Sequence, residues 1–187
     1  VLDNAGQVKW STPITAVLPV YQLTVPNGIQ GSFVRVLNKP GQYLHMAEVE
    51  VFGVAAAPVA IAPLPSPAPA PTGGTPGNIA LKKPATQSSD VTAQWPGGTP
   101  DKAVDGNTNP NWNFSNGALV SLQHTNNGPN EFWMVNLQGN FAIAGIKITN
   151  RADCCTDRIV GATVQVLDNA GQVKWSAPIT AVAPVYQ

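Results

Sequence analysis

The chain has 187 residues, and its ten Lys and Arg side chains balance ten Asp and Glu side chains, so the formal net charge is zero. This balance argues against a nucleic-acid-binding surface and against a polybasic membrane surface. Charged residues make up only 11 % of the chain, whereas Gly (17) and Pro (18) are plentiful, which is typical of short strands joined by turns. We therefore expect an all-β, soluble protein. No apolar run reaches the roughly eighteen residues of a membrane-spanning helix, so we expect no membrane insertion.

The first 22 residues recur at the end of the chain. The copies VLDNAGQVKWSTPITAVLPVYQ (1–22) and VLDNAGQVKWSAPITAVAPVYQ (166–187) differ at two positions, Thr12 against Ala177 and Leu18 against Ala183. The copies lie too far apart for a solenoid repeat, which favours a parent built of whole domains in tandem. We expect the chain to begin inside one domain copy and to end inside the next. The duplicated ends would allow strand exchange or oligomer formation.

The first third of the chain predicts two strands and then a linker. Residues 32–38 (SFVRVLN) and 43–53 (YLHMAEVEVFG) read as strands separated by the turn KPGQ. Residues 54–77 carry seven prolines and seven alanines and no charge, a composition typical of an extended linker.

The rest of the chain predicts a long loop region followed by strands. Residues 88–125 are rich in Asn, Gly, Pro and Thr, and loops of that length in a sandwich usually carry function. Three later segments alternate apolar and polar residues with a period of two and predict strands: 131–137, 143–150 and 161–168. We expect Trp133 and Trp175 to pack in the core or along strands.

Cys154 and Cys155 are adjacent and are the only cysteines in the chain. Their Cα atoms lie about 3.8 Å apart, below the roughly 4.4–6.8 Å usual for a disulfide, so the residues alone leave a strained bridge and two reduced thiols equally open. A metal site is disfavoured because only His45 and His124 are available as further ligands of this kind. A cysteine nucleophile with His124 as its base has no local support.

The spacing around these cysteines resembles a known signature. Twenty-six residues separate His124 from Arg151, which is followed by Ala152, Asp153 and the two cysteines; four residues separate Asp153 from Arg158. This pattern resembles that of the F-type lectins, or fucolectins. Segments 78–89, 102–107 and 47–53 resemble the opening strand, an internal turn and the closing strand of that family, in permuted order. The resemblance implies an antiparallel jelly-roll-like β-sandwich of the F-type lectin and discoidin-like kind.

The resemblance also implies a site for L-fucose. Arginine presents several N–H donors in a fixed plane and can address two neighbouring hydroxyl groups. In the family, a vicinal disulfide packs against the apolar face of the sugar. By this likeness the expected carbohydrate-binding residues are His124, Arg151, Asp153, Cys154, Cys155 and Arg158, with Trp95, Trp112 and Phe114 as candidates for the apolar wall.

A second set of residues resembles the calcium site of the family. Ca²⁺ takes six to eight oxygen ligands, and a DGN turn supplies several of them at once. Alone, such a turn is usually only a turn. By resemblance the expected ligands are Lys102, Asp105, Asn107, Ser121, Ala47 and Glu48.

These expectations together predict a calcium-containing, non-enzymatic lectin that binds fucosylated glycans and is secreted or displayed at the cell surface. In this interpretation residues 1–53 form the C-terminal half of a lectin domain, 54–77 the linker and 78–187 its N-terminal part. Two alternatives remain, a discoidin-like adhesion module for protein or lipid and a carbohydrate-binding appendage of a glycosidase.

One sandwich has a single place for the duplicated segment. We expect residues 166–187 to occupy it, because they follow directly from a strand, whereas residues 1–22 reach it only through the linker. Residues 1–22 would then be mobile or exchanged between chains.

Overall fold

The structure is a computed structural model that describes residues 20–56, 77–91 and 96–180. Over these ranges the chain is built of strands, with two short 3₁₀ helices. The strands are β1 (Val20–Thr24), β2 (Gln30–Leu37), β3 (His45–Ala55), β4 (Gly77–Asn78), β5 (Ala85–Gln87), β6 (Phe114–Ser115), β7 (Ala118–Leu119), β8 (Gln123–His124), β9 (Phe132–Asn150), β10 (Thr163–Leu167) and β11 (Val173–Pro178). The 3₁₀ helices are Pro100–Ala103 and Thr156–Ile159. No helix in the described ranges has the length and apolar run needed to cross a bilayer.

Strand β9 organises the fold because it belongs to both halves of a β-sandwich. Its first part pairs with β2 on one side and β5 on the other, with Val135 opposite both Val34 and Ala85. Its second part pairs with β3 and β1, with Ile148 opposite both Val49 and Tyr21. All of these pairings are antiparallel, as expected for an all-β sandwich.

The predicted strands 131–137 and 143–150 are therefore one strand, which differs from the expectation of two. The residues between them stay within the pairing pattern, because Phe141 and Ala142 lie opposite Gly31 and Gln30 of β2 and also opposite residues of β3. The predicted opening strand 78–89 differs in the other direction, since only β4 and β5 within it are extended.

A large hydrophobic core cluster fills the space between the layers, and Ala47 and Leu122 form a small second cluster. Val34, Val49, Val135 and Ile148 are all fully buried and belong to one cluster. Trp133 is also fully buried, and its indole Nε1 donates a hydrogen bond to the carbonyl of Pro100 at 2.8 Å. This core therefore supports both predictions made for the tryptophans, since Trp175 is half-buried against the same cluster.

Strands from both sides of the linker enter one hydrogen-bonded network. β1 to β3 come before residue 57 and pair with β9 and β10, which come after residue 76. Strand β3 continues to Ala55 and β4 begins at Gly77, so the extended linker predicted for 54–77 overlaps both. Residues 57–76 themselves lie outside the described residues.

Both copies of the duplicated segment contribute strands within the described residues, whereas we expected residues 166–187 to occupy the place and residues 1–22 to be mobile or exchanged. The end of β10 and all of β11 come from the C-terminal copy. Val20, Tyr21 and Gln22, the last residues of the N-terminal copy, open β1 and pair with β9. Residues 1–19 and 181–187 lie outside the described residues.

Candidate functional site

A pocket of about 470 Å³ opens where β8, β9 and the second 3₁₀ helix meet. Its volume lies within the range of small-molecule sites, roughly 300–1,000 Å³. It is lined by Tyr43, Trp112, His124, Arg151, Asp153, Cys154, Cys155 and Arg158.

The local structure explains how these side chains meet. His124 lies on β8, which pairs with the start of β3, with His45 directly opposite. Arg151 follows the last residue of β9, and Arg158 lies on the 3₁₀ helix Thr156–Ile159. Cys155 precedes that helix with a left-handed backbone conformation, φ 57°, which turns the chain back toward the pocket.

Arg151 is fixed by an ion pair and by an aromatic ring. Its Nε and Nη2 donate to Asp153 Oδ1 and Oδ2 at 2.8 and 3.0 Å, the two-bond geometry that suits a guanidinium. The guanidinium carbon lies 4.2 Å from the centre of the Trp112 ring. The hydrogen bond from Arg151 holds the pKa of Asp153 below its usual value, so this carboxyl is ionised at neutral pH.

Arg158 is fixed differently. Its guanidinium carbon lies 4.8 Å from the centre of the Tyr43 ring, a cation–π contact. No ion pair of Arg158 occurs among the described residues. The two arginines thus each lie on an aromatic face, but only Arg151 is also held by a carboxylate.

His124 lies between the two aromatic rings. Its ring centre is 5.4 Å from that of Tyr43 and 5.4 Å from that of Trp112. Because the carbonyl of Thr125 can only accept, Nδ1 carries the proton in their 2.7 Å hydrogen bond. Burial lowers the pKa of His124 to about 4, so the ring is neutral at pH 7 and Nε2 has acceptor character.

His45 lies behind His124, with 5.3 Å between the ring centres. It is 1 % exposed, and neither ring nitrogen has a hydrogen-bond partner among the described residues. Burial lowers the pKa of His45 to about 3, and the nearby His124, Arg151 and Arg158 act in the same direction. The layer beneath the pocket is therefore uncharged at neutral pH.

The two cysteines are bonded to each other, which resolves the alternatives left open by the sequence. Seven of the expected site residues come together on one pocket: Trp112, His124, Arg151, Asp153, Cys154, Cys155 and Arg158. Trp95 lies outside the described residues. Phe114 lies beside the pocket and does not line it; its side chain is 41 % exposed and its ring centre is 5.5 Å from that of Trp112.

Tyr43 lines the pocket although sequence reasoning did not assign it to the site. It lies two residues before His45, at the start of the segment that pairs with β8. The signal that would have identified it is this pairing, since an aromatic residue just before a strand that lies against His124 is close to the signature residues.

Glu48, one of the expected calcium ligands, has a buried carboxylate. Glu48 is 1 % exposed; its Oε2 accepts a hydrogen bond from Gly106 N at 3.1 Å, and its Oε1 has no partner among the described residues. Burial raises the pKa of Glu48 to about 7, and the charge of Asp105 adds to the shift. A register shift between Met46 and Glu48 takes Ala47 out of the regular β3–β9 ladder.

Two of the other expected ligands, Asp105 and Asn107, lie on a loop whose side chains bind its own backbone. Asp105 Oδ1 accepts from Asn107 N at 2.8 Å, Asn107 Oδ1 from Asn109 N at 3.1 Å, and Asn109 Oδ1 from Asn111 N at 3.1 Å. Lys102 Nζ lies 3.7 Å from Asp105 Oδ2. No group of three or more His, Cys, Asp and Glu side chains suited to a metal occurs in the described ranges, because the expected set contains only two carboxylates.

Ser121 links this loop to the pocket. Its hydroxyl donates to the carbonyl of Asn111 at 2.7 Å and accepts from Asn113 N at 3.0 Å, on both sides of Trp112. Trp112 N also donates to Asp153 Oδ1 at 3.1 Å, and its ring packs on the buried pair Ala47 and Leu122. The orientation of Trp112 therefore depends on residues of both expected sites.

Comparison with known proteins gives a family model and several curated relatives. The model, described as a NedA-like, galactose-binding domain, matches residues 102–185. Fucolectin-5 of Anguilla japonica is 40 % identical over 101 residues, covering 50 % of this chain and 49 % of the relative. Fucolectin-1 of the same organism is 39 % identical over 103 residues, covering 50 % and 52 %. Fucolectin of Anguilla anguilla is 35 % identical over 95 residues, covering 50 % and 57 %.

The chain thus spans about half the length of the curated relatives it matches. No solved structure gives a significant match. The matched region 102–185 contains His124, Arg151, the disulfide and Arg158. The family model and the eel relatives together support an F-type lectin domain in this chain.

Proposed function

We propose that this chain is a lectin that binds terminal L-fucose on glycans through the pocket between Arg151 and Arg158. One observation carries the proposal: two arginines, each held on an aromatic face, flank a neutral histidine beside the vicinal disulfide. The names of the eel relatives support the choice of fucose among the sugars.

The donors and acceptors of the pocket suit a neutral sugar. A sugar hydroxyl both donates and accepts, and the guanidinium groups can only donate, so the arginines bind hydroxyl oxygens. Neutral His124 offers Nε2 as an acceptor for a hydroxyl proton, with its Nδ1 proton committed to Thr125. Asp153 is already occupied by Arg151 and Trp112 N and acts by orienting them.

The disulfide suits the apolar side of the same sugar. Sulfur is polarizable and a disulfide has no strong hydrogen-bonding group. Such a surface favours contact with the C–H groups and the C6 methyl of fucose over contact with hydroxyls. We assign no reaction to this pocket, since its cysteines are bonded to each other and Asp153 is the only carboxylate among its described lining residues.

Calcium binding is a further part of the proposal. The buried oxygen Glu48 Oε1 lacks a partner among the described residues, and a hard cation would satisfy it. The carboxylates of Glu48 and Asp105, with oxygens of Lys102, Asn107, Ser121 and Ala47, would hold the ion. Its charge would offset the repulsion between the two carboxylates and join β3 to the Asp105 loop.

A vicinal disulfide is stable outside the reducing cytosol, and we propose secretion or exposure at the cell surface on that ground. The duplicated ends support a second proposal, that neighbouring copies exchange strands. Size-exclusion chromatography with light scattering tests that proposal, because a monomer at all concentrations would contradict it.

A glycan array with the purified chain tests the binding function. We expect signals on fucosylated glycans that disappear when free L-fucose competes. Signals confined to unfucosylated glycans would favour an appendage with other specificity, and signals confined to proteins or lipids would favour a discoidin-like adhesion module. Either of those results would overturn the assignment to fucose.

A further inference from the structure

The two arginines of the pocket differ in what fixes them. Arg151 has a two-bond ion pair with Asp153 in addition to its contact with Trp112. Arg158 has no ion pair among the described residues and contacts the face of Tyr43. The direction of the Arg158 guanidinium therefore depends on an aromatic ring alone within the described part of the chain.

Tyr43 is in turn held in place by the strand that carries His124. Leu44 N donates to Thr125 Oγ1 at 3.0 Å, and Thr125 N donates to the carbonyl of Leu44 at 2.9 Å. The next residue, His45, lies opposite His124 in the β3–β8 ladder. The tyrosine ring is thus fixed relative to His124, with their planes tilted by 57°.

The geometry points to Tyr43 as a positioning residue of the sugar site, which holds Arg158 over its ring and directs the guanidinium toward the ligand. This inference rests on the proposed function. It gives a role in the site to a residue that lies more than eighty positions before His124 in the sequence. Tyr43 and Arg158 line the same pocket.

The contact with the Tyr43 ring affects how Arg158 can bind a sugar. A stacked guanidinium keeps its in-plane N–H groups available, because the aromatic face contacts only the π surface of the group. Removal of the ring would leave the Arg158 side chain free to rotate, and binding would then have to order it. A phenylalanine at position 43 would preserve the stack, since it keeps the ring.

The first experiment measures the stack without any sugar. The Nε–H signal of Arg158, assigned by NMR from its loss in Arg158→Lys, is expected to carry an upfield ring-current shift in the wild-type chain and in Tyr43→Phe. The shift should disappear in Tyr43→Leu. An unshifted signal in the wild-type chain would overturn the inference whatever the protein binds.

The second experiment measures fucose affinity by NMR titration. We expect Tyr43→Leu to weaken binding about five- to thirtyfold, in line with the usual strength of a partly buried cation–π contact, and Tyr43→Phe to leave it within about twofold. Should Tyr43→Leu fail to fold, as judged by its circular dichroism, Tyr43→Met takes its place. Unchanged affinity in a folded variant without the ring would overturn the inference.

Two arginine variants test whether Tyr43 acts on the sugar site through Arg158 or in some other way. In Arg158→Ala the further change Tyr43→Leu should have no effect on affinity, whereas in Arg151→Ala it should retain its full effect. An equal loss in both backgrounds would mean that Tyr43 does not act through Arg158. Absence of fucose binding by the wild-type chain would contradict the proposed function, while the Arg158 signal would still decide the role of Tyr43.

Discussion

Single side chains of the pocket are held by several contacts at once, and of the two arginines Arg151 has more of them. It binds Asp153, which also accepts from Trp112 N, and it lies on the Trp112 ring. Arg158 touches Tyr43 and no acid among the described residues. The same type of side chain therefore contributes differently to folding at the two positions.

Substitution of these arginines should separate binding from stability. We expect Arg151→Ala and Arg158→Ala each to weaken fucose binding by roughly 1–3 kcal/mol, because each leaves polar groups of the bound sugar without a donor. Arg151→Ala should also lower the melting temperature, since it leaves Asp153 with one partner fewer, and Arg158→Ala should lower it less. Calorimetry with fucose and thermal melts measure both quantities. Unchanged fucose affinity in either variant would contradict the proposed clamp.

The protonation state of His124 predicts how binding depends on pH. The pKa of His124 is lowered from 6.5 to about 4, mainly by burial. The titratable and charged groups around the His124 ring are those of His45, Arg151, Arg158 and Tyr43. The neutral ring thus persists in the folded protein well below pH 6.5. We expect constant fucose affinity from pH 7.5 to 5.5 and weakening as the pH approaches 4, because protonation removes the acceptor and adds a third positive charge.

Stability should change earlier than binding. The unfolded chain protonates His124 near pH 6.5 and the folded chain only near pH 4, so between these values the unfolded state binds more protons. This contribution to the free energy of unfolding is therefore lost as the pH falls from 6.5 to 4. Melting curves and fucose titrations across that interval measure the two profiles, and a loss of affinity already near pH 6.5 would contradict the assignment of a neutral His124.

Local spacing and long-range pairing differ in how well they could be predicted. One segment of eight residues, 151–158, contains Arg151, Asp153, Cys155 and Arg158. Their relative placement therefore follows from the local backbone and from the resemblance. Tyr43 reaches the same pocket only through the pairing of β3 with β8. Nothing in the residues around position 43 specifies that register, because it results from the packing of the whole sandwich.

At the scale of elements, the same limit explains the strand boundaries. Alternation predicted the two ends of β9 as separate strands, 131–137 and 143–150, and left residues 138–142 between them unassigned. These residues are part of the strand because β2 and β3 pair with two of them, Phe141 and Ala142. Pairing with the partner strands therefore joins two segments that local alternation separates.

A bound cation would act on the contact between elements. Glu48 on β3 meets the Asp105 loop through Gly106 N, and the two carboxylates repel each other. We expect calcium to raise the melting temperature, because a ligand that binds only the folded chain stabilises it. Chelation should therefore lower the melting temperature, and its effect on fucose binding should be smaller. Glu48→Gln should abolish the response to calcium.

Glu50→Gln is the matched control for that experiment. Glu50 lies on the same strand, but its carboxylate pairs with Lys147 and is not one of the expected ligands. Its replacement should leave the calcium-dependent rise in melting temperature intact. Identical melting curves of the wild-type chain with calcium and with chelator would exclude the site.

At the scale of the whole molecule, the order of segments along the chain does not match their order in the sandwich. β11 ends at Pro178 in the C-terminal copy of the duplicated segment, and β1 begins at Val20 in the N-terminal copy. Tyr21 and Thr180 line one groove, so the two copies meet there. At the other side, β3 and β4 pair directly at Gly53 and Gly77.

These positions predict that the chain can be reordered without loss of fold. We expect a chain of residues 77–187 followed directly by residues 23–56 to form the same sandwich, with Val185–Gln187 in the place of the identical Val20–Gln22. Residues 181–184 would then join Thr180 to β1, and four residues span up to about 14 Å. The reordered chain has its ends at the β3–β4 pair.

The reordered chain should bind fucose with unchanged affinity and melt at the same or a higher temperature, because β1 is closed by a shorter loop. Calorimetry measures the fucose affinity, and thermal melts measure the melting temperature, of the original and the reordered chain. A reordered chain of the same length whose segment 181–184 is shuffled is the control. Loss of fucose binding by a folded reordered chain would show that the two copies are not interchangeable and would contradict the permuted order.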